Sequence, residues 1–188
     1  MPSIFTHAIV PATLALAAGR SRIPVRVAVA GVALAMLPDA DVATFRMGID
    51  YASQWGHRGA SHSLVVAVVL ALLTLPLLNP PRKGLALAFL FMAAASHGLL
   101  DALTSGVYGP ALLWPWSQER LFFPVRPIRV SPIGAAFFTP RGMETVWSEL
   151  EWVWLPCLLA TLPVWLMRRF RAPAASGRDS GPVHQSPD

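Results

Sequence analysis

Apolar residues gather into five runs along this chain: Ile4–Gly19, Ile23–Leu37, Ser63–Leu78, Gly84–Leu103 and Trp152–Met167. Each is at or below the roughly 20 residues that span a bilayer comfortably. The first two are short enough to form a tight, partly re-entrant hairpin. The pattern predicts an all-α fold, a polytopic membrane bundle of about five short helices, with residues 1–171 as one membrane-embedded domain. Between the fourth and fifth runs lies Thr104–Glu151, whose prolines forbid a continuous helix, so irregular or short extended structure is expected over the bundle. The tail, residues 172–188, is rich in Pro, Ser, Gly and Ala and reads as disordered.

Composition points the same way. The 188 residues are 54% hydrophobic and 13% charged, with mean hydropathy +0.51, whereas a soluble domain carries about 25% charged residues. Cys157 is the only cysteine, so an intramolecular disulfide and a thiolate metal cluster are both excluded. No basic stretch precedes the first apolar run, so it reads as a retained segment rather than a cleaved signal peptide.

The net charge of +5 raises nucleic acid as a partner, but the distribution argues against it. Arg20, Arg22 and Arg26, then Arg82 and Lys83, then Arg168, Arg169 and Arg171 fall between apolar runs, not along one helical face. These clusters alternate so as to share one side of a membrane, which the positive-inside rule makes cytoplasmic. The other side receives the N-terminus, Pro38–His62 and Thr104–Glu151, with eight of the ten acidic residues there or at its edge. Six of the seven tryptophans also sit toward that outer side, as an interfacial belt would.

The candidate chemistry lies at this outer face. His7 is near the outer end of the first run, Asp39 and Asp41 follow the second, His57 and His62 precede the third, and His97 and Asp101 close the fourth. His97 and Asp101 are four apart, so they share a helical face and can bind one ion together. Ionisable groups inside an apolar membrane run are costly and usually functional. Asp39 and Asp41, two apart after a proline, suit a turn in which one ligates and the other orients. Imidazole and carboxylate without thiolate suit zinc, manganese or iron. The expected division of labour gives His97, Asp101, His62 and Asp39 to one ion and His7 to any second. Asp41 and His57 remain as proton carriers. Arg58, Arg120, Arg126 and Arg129 are the candidates for holding a phosphate or a lipid headgroup.

Thr6-His7, Leu37-Pro38-Asp39-Ala40-Asp41, His57-Arg58-Gly59-Ala60-Ser61-His62-Ser63 and Ser96-His97-Gly98-Leu99-Leu100-Asp101 resemble the signature of the YdjM-like membrane-bound metal-dependent hydrolases. The resemblance runs to about Gly134 and includes Trp114-Pro115-Trp116. It implies a bacterial inner-membrane protein with a hydrolase label, in which His7, Asp39, Asp41, His57, His62, His97 and Asp101 are the expected metal and catalytic residues. From the residues themselves, one or two divalent ions, zinc first among them, and membrane lipids or a small-molecule substrate are the expected cofactor and partners. The order His, Asp, His, then His-x-x-x-Asp is also similar to that of zinc-dependent phospholipase C and the P1-type nucleases. This chain lacks their N-terminal tryptophan ligand and their later His-x-x-x-Glu pair, so a three-metal cluster is not expected. The function these readings favour is hydrolysis at the membrane surface through metal-activated water. The alternatives are a metal-ion or proton transporter, whose site would lie nearer the bilayer midplane, and a non-catalytic protein stabilised by a metal.

Overall fold

Six α-helical segments arise from the apolar runs and one polar stretch: α1 (Ile4–Ala18), α2 (Val25–Met36), α3 (Leu64–Leu78), α4 (Lys83–Ala102), α5 (Pro140–Glu149) and α6 (Leu155–Arg171). The structure, a computed structural model, describes residues 1–132 and 134–171; the tail expected to be disordered lies outside them. α2 continues unbroken as a 3₁₀ segment, Leu37–Met47, and α5 passes into α6 through a π-helical turn, Leu150–Trp154. The described residues therefore form five continuous helices and no strand, apart from one isolated parallel bridge between Thr104 and Ile128.

Two boundaries differ from the expectation. The second helix does not stop at Leu37. Pro38 cannot donate to the carbonyl four residues back, and the backbone answers by winding more tightly rather than by ending. The last helix begins at Pro140, not Trp152, with Pro140 in the first turn where its missing N–H costs nothing. α5 is amphipathic, so a search for continuous apolar runs passes over it.

Val25–Met47, Lys83–Ala102 and Pro140–Phe170 are long and apolar enough to cross a membrane. α1 and α3, at 15 residues each, extend only about 22 Å at 1.5 Å per residue, short of a hydrocarbon core of about 30 Å. α4 is the central helix and packs on α1, α2 and α3, while α1 also packs on α6. Its inner half buries Ala86, Phe89 and Leu90 in a cluster with Val27, Leu34 and Ala71. Gly31 on α2 is required there, because a Cβ would lie 2.4 Å from a Phe89 ring carbon.

At one end of the bundle the helix ends are closed by basic residues. The Arg168 guanidinium donates to the Ala18 carbonyl at the end of α1, and Arg26 Nη2 donates to the Asn79 carbonyl, 3.2 Å away, at the end of α3. Both put positive charge where a helix C-terminus exposes unpaired carbonyls. The opposite end of the bundle holds the histidines.

Candidate metal centre

Four local features aim the polar side chains of the histidine-bearing end at one point. On α1, Pro11 cannot donate to the His7 carbonyl, which loosens the first turns around that residue. After Pro38 the 3₁₀ winding, at about three residues per turn, sends Asp39 and Asp41 in different directions. Asp39 is buried toward α4, and Asp41 faces the loop before α3. That loop is wound so tightly that a Cβ on Gly59 would sit 2.2 Å from the Gln54 carbonyl oxygen, and Arg58 takes a left-handed φ of 63°. Finally, Gly98 on α4 leaves room for the turn at His62, whose carbonyl oxygen would be 2.6 Å from a Cβ there.

The result is a buried cage. His62 Nε2 and His97 Nε2 are 2.9 Å apart. His97 Nε2 lies 3.5 Å from Asp39 Oδ1, and His62 Nε2 lies 3.2 Å from Asp101 Oδ2. One donor atom from each of Asp39, His62, His97 and Asp101 falls within 4.8 Å of the others. His7 stacks on His97 at 3.8 Å between ring centroids, with its Nε2 at 3.8 Å from Asp39 Oδ2 and 3.9 Å from Asp101 Oδ1.

The cage fits a divalent cation by a test internal to its own atoms. Both ring nitrogens of His7, both oxygens of Asp39 and Oδ2 of Asp101 are buried without a hydrogen-bond partner. Leaving such groups unpaired costs about 1–3 kcal/mol each, and one shared ion would satisfy several at once. The two central histidines are also oriented for it. His97 Nδ1 is 2.7 Å from the Ala35 carbonyl oxygen, and His62 Nδ1 is 3.2 Å from Asp41 Oδ2. An outward acceptor on Nδ1 fixes the tautomer that turns the Nε2 lone pair inward. Burial by itself would lower the pKa of His62, but hydrogen bonds to Asp101, Asp39 and Asp41 hold it well above the ordinary 6.5. The cage carries an excess of negative charge that a proton or a metal ion must answer.

Asp41 leads away from the cage. Its Oδ1 lies 2.5 Å from His57 Nδ1, and its Oδ2 accepts from the Ser61 hydroxyl and from the Arg58 N–H at 3.2 Å. His57 is buried with its ring against the edges of Phe45 and Tyr51, at 5.7 and 5.3 Å. Tyr51 is pushed up to about 12 by burial and by the nearby carboxylate of Asp101, so it stays a neutral phenol at physiological pH. Asp41, His57 and His62 form a second group of three donors. His7 lies on the wall of the first cage.

The arginines divide. Arg58 is buried, with Nε 3.3 Å from Asp101 Oδ2, Nη2 3.1 Å from Thr104 Oγ1 and Nη1 donating to the Tyr108 carbonyl at 2.7 Å. Arg120 donates to the carbonyls of Tyr51, Ala52, Ser53 and His57 and so staples the loop that carries His57. Both were expected to hold substrate; Arg120 and the two Nη groups of Arg58 instead donate inside the protein. Arg126 and Arg129 remain exposed, the first over the Phe122 ring at 4.7 Å.

Glu149 was missed by reasoning from sequence. It is fully buried on α5 and accepts from the Ser3 N–H, the Ser3 hydroxyl at 2.6 Å and the Thr6 hydroxyl at 2.8 Å. A carboxylate thus caps the positive end of α1 from another helix and locates His7. An acid preceding an apolar run was the only available signal, and it does not name a partner.

Comparison with known proteins agrees with this architecture. The family described as YdjM inner membrane protein matches residues 1–172. The chain is 45% identical over 173 residues to the inner membrane protein YbcI of Escherichia coli (strain K12), a match covering 90% of this chain and 100% of that protein. No solved structure matches, and the similarity to phospholipase C and P1-type nucleases finds no support among these comparisons. The chain belongs to the YdjM family of inner membrane proteins.

Proposed function

We propose that this YdjM-family membrane protein is a metal-dependent hydrolase acting at the membrane surface on a lipid or phosphoester substrate. On the placement of its arginines the working face is the outer, periplasmic one. The observation that carries the reading is the convergence of five buried imidazoles and carboxylates, three of which, His7, Asp39 and Asp101, hold unpartnered atoms. Asp39, His62, His97 and Asp101 would hold a divalent transition ion, zinc first for an all-nitrogen-and-oxygen donor set, with His7 beside it. When bound, such an ion supplies Lewis acidity and lowers the pKa of a coordinated water to about 7.

The remaining work falls to the chain's own groups. Arg58 pairs with Asp101 and fixes that carboxylate in place. Asp41, with hydrogen-bond donors on both oxygens, orients His57 rather than moving a proton itself. Among the described residues nothing engages His57 Nε2, so this atom is the one that exchanges a proton with substrate. Tyr51 and Phe45 pack the ring so that Nε2 keeps one direction.

Metal analysis of the detergent-purified chain, followed by a screen of phosphoester, ester and amide substrates, tests the reading. One or two equivalents of zinc and hydrolysis of one substrate class, both lost in His97→Ala, are expected. Metal flux in proteoliposomes that His97→Ala abolishes, with no hydrolysis of any substrate, would assign the cage to transport. Bound metal with neither activity would leave it a structural centre.

A further inference from the structure

α5 presents two unlike faces. On one side is a polar cleft of about 200 Å³ lined by Ser105, Gly106, Arg129, Arg141, Glu144 and Thr145 among others. On the other is an apolar groove of about 700 Å³ that includes Phe137, Phe138, Met143, Val146 and Trp147. The ten-residue helix explains the division, since positions 141 and 145 share one face and 143, 146 and 147 the other. Glu144 lines both cavities.

The cleft has the chemistry of an anion site. Among the arginines of the described residues only Arg58 is in an ion pair, so Arg129 and Arg141, with Glu144 as the one acid beside them, leave the cleft a net positive charge. The Arg129 backbone is held by its N–H donating to Ser148 Oγ at 2.9 Å. Thr145 is buried and donates to the carbonyls of Val130 and Arg141, which fixes the helix against the cleft. Gly106 forms part of the lining, and a Cβ there would come 3.0 Å from Arg58 Nη1. The missing side chain puts the cleft against the guanidinium that holds Asp101 of the cage.

We infer that α5 is the substrate-docking element for a phosphate-bearing lipid, its headgroup phosphate between Arg129 and Arg141 and an acyl chain in the groove beside Phe138 and Trp147. This rests on the hydrolase reading and names the substrate class for that site. Two observations favour a lipid over free phosphate. The apolar groove adjoins the anion cleft at Glu144, which lines both, and Phe138, Met143 and Trp147 in it are 88%, 71% and 70% exposed, a surface that acyl chains would cover in a membrane. Glu144, facing the same space, repels a phosphate dianion more than the single charge of a diester.

Binding read without turnover separates this inference from the hydrolase reading. The full chain in detergent, treated with a chelator, is titrated with dihexanoylphosphatidylglycerol, with dihexanoylglycerol and with inorganic phosphate. Saturable binding of the phospholipid is expected, at least tenfold tighter than either of the other two. Arg129→Gln with Arg141→Gln should weaken it tenfold or more, and Phe138→Ser should weaken the phospholipid while leaving phosphate unchanged. Both arginines are exposed, so folding should survive, and circular dichroism checks it. Undiminished phospholipid binding in the double variant, or equal binding of dihexanoylglycerol, overturns the site. Phosphate bound as tightly as the lipid makes it a free-anion site and overturns the lipid assignment. Loss of hydrolysis with lipid binding intact would count against the enzyme reading alone.

Discussion

Over residues 83–91, α4 buries Ala86, Phe89 and Leu90 against its neighbours, whereas its last turns bury Ser96, His97 and Asp101 just as completely. The inner half follows the ordinary rule that small and apolar side chains fill a helix interface, down to the contact between Gly31 and Phe89. The outer half breaks it. There the buried groups are held by partners from elsewhere in the chain: the Ala35 carbonyl on His97 Nδ1, Asp41 on His62, and Arg58 on Asp101. One helix therefore contains a packing half, sensitive to volume, and a chemical half, sensitive to donor identity. Substitutions should sort by half.

The largest effect is expected at the chemical end. His97→Ala should reduce the metal content of the purified chain to less than a tenth of native and abolish hydrolysis, while leaving membrane insertion intact. Normal metal content in both His97→Ala and Asp101→Ala would erase the distinction between the halves. Next, His57→Ala and Asp41→Asn should keep metal but lower kcat by about 10²–10⁴-fold, the usual contribution of a positioned acid or base. Metal analysis beside steady-state kinetics reads both at once, and a parallel loss of metal would place these residues in the cage instead.

At the packing end, Leu90→Ala should destabilise the bundle by about 2–5 kcal/mol through the cavity it leaves. Thermal unfolding in detergent measures this, and the folded fraction should carry native metal. Glu149→Gln is expected to cost about 1–3 kcal/mol, because its amide nitrogen meets donors from Ser3 or Thr6 where a carboxylate oxygen accepted them. The smallest effect belongs to the inner rim. Arg168→Met removes the cation at the end of α1 and should lower stability by about 0.3–1 kcal/mol. A larger loss there than at Leu90 would show that the helix ends, not the α4 interface, hold the bundle.

The sequence by itself determined the helical membrane architecture, because nearly continuous apolar runs leave few other folds, and it marked the outer helix ends as unusual. An ionisable residue within or beside such a run is conspicuous without any structure, as His97 and Asp101 were. It also suggested unlike roles for Asp39 and Asp41 from their spacing after Pro38. Tertiary structure alone decided which donors meet. His7 stacks on His97 from a helix 90 residues earlier, and Glu149 reaches Ser3 across 146 positions. It also turned Arg58 and Arg120 inward, where a sequence reading gave them to substrate, and it made α5 a helix with a charged cleft on one side. The reason is physical. Hydrophobic periodicity reports how a segment meets its solvent, and lipid makes that signal strong. A buried polar side chain reports only that it needs a partner, and the choice among partners is made by the packing of helices distant in sequence.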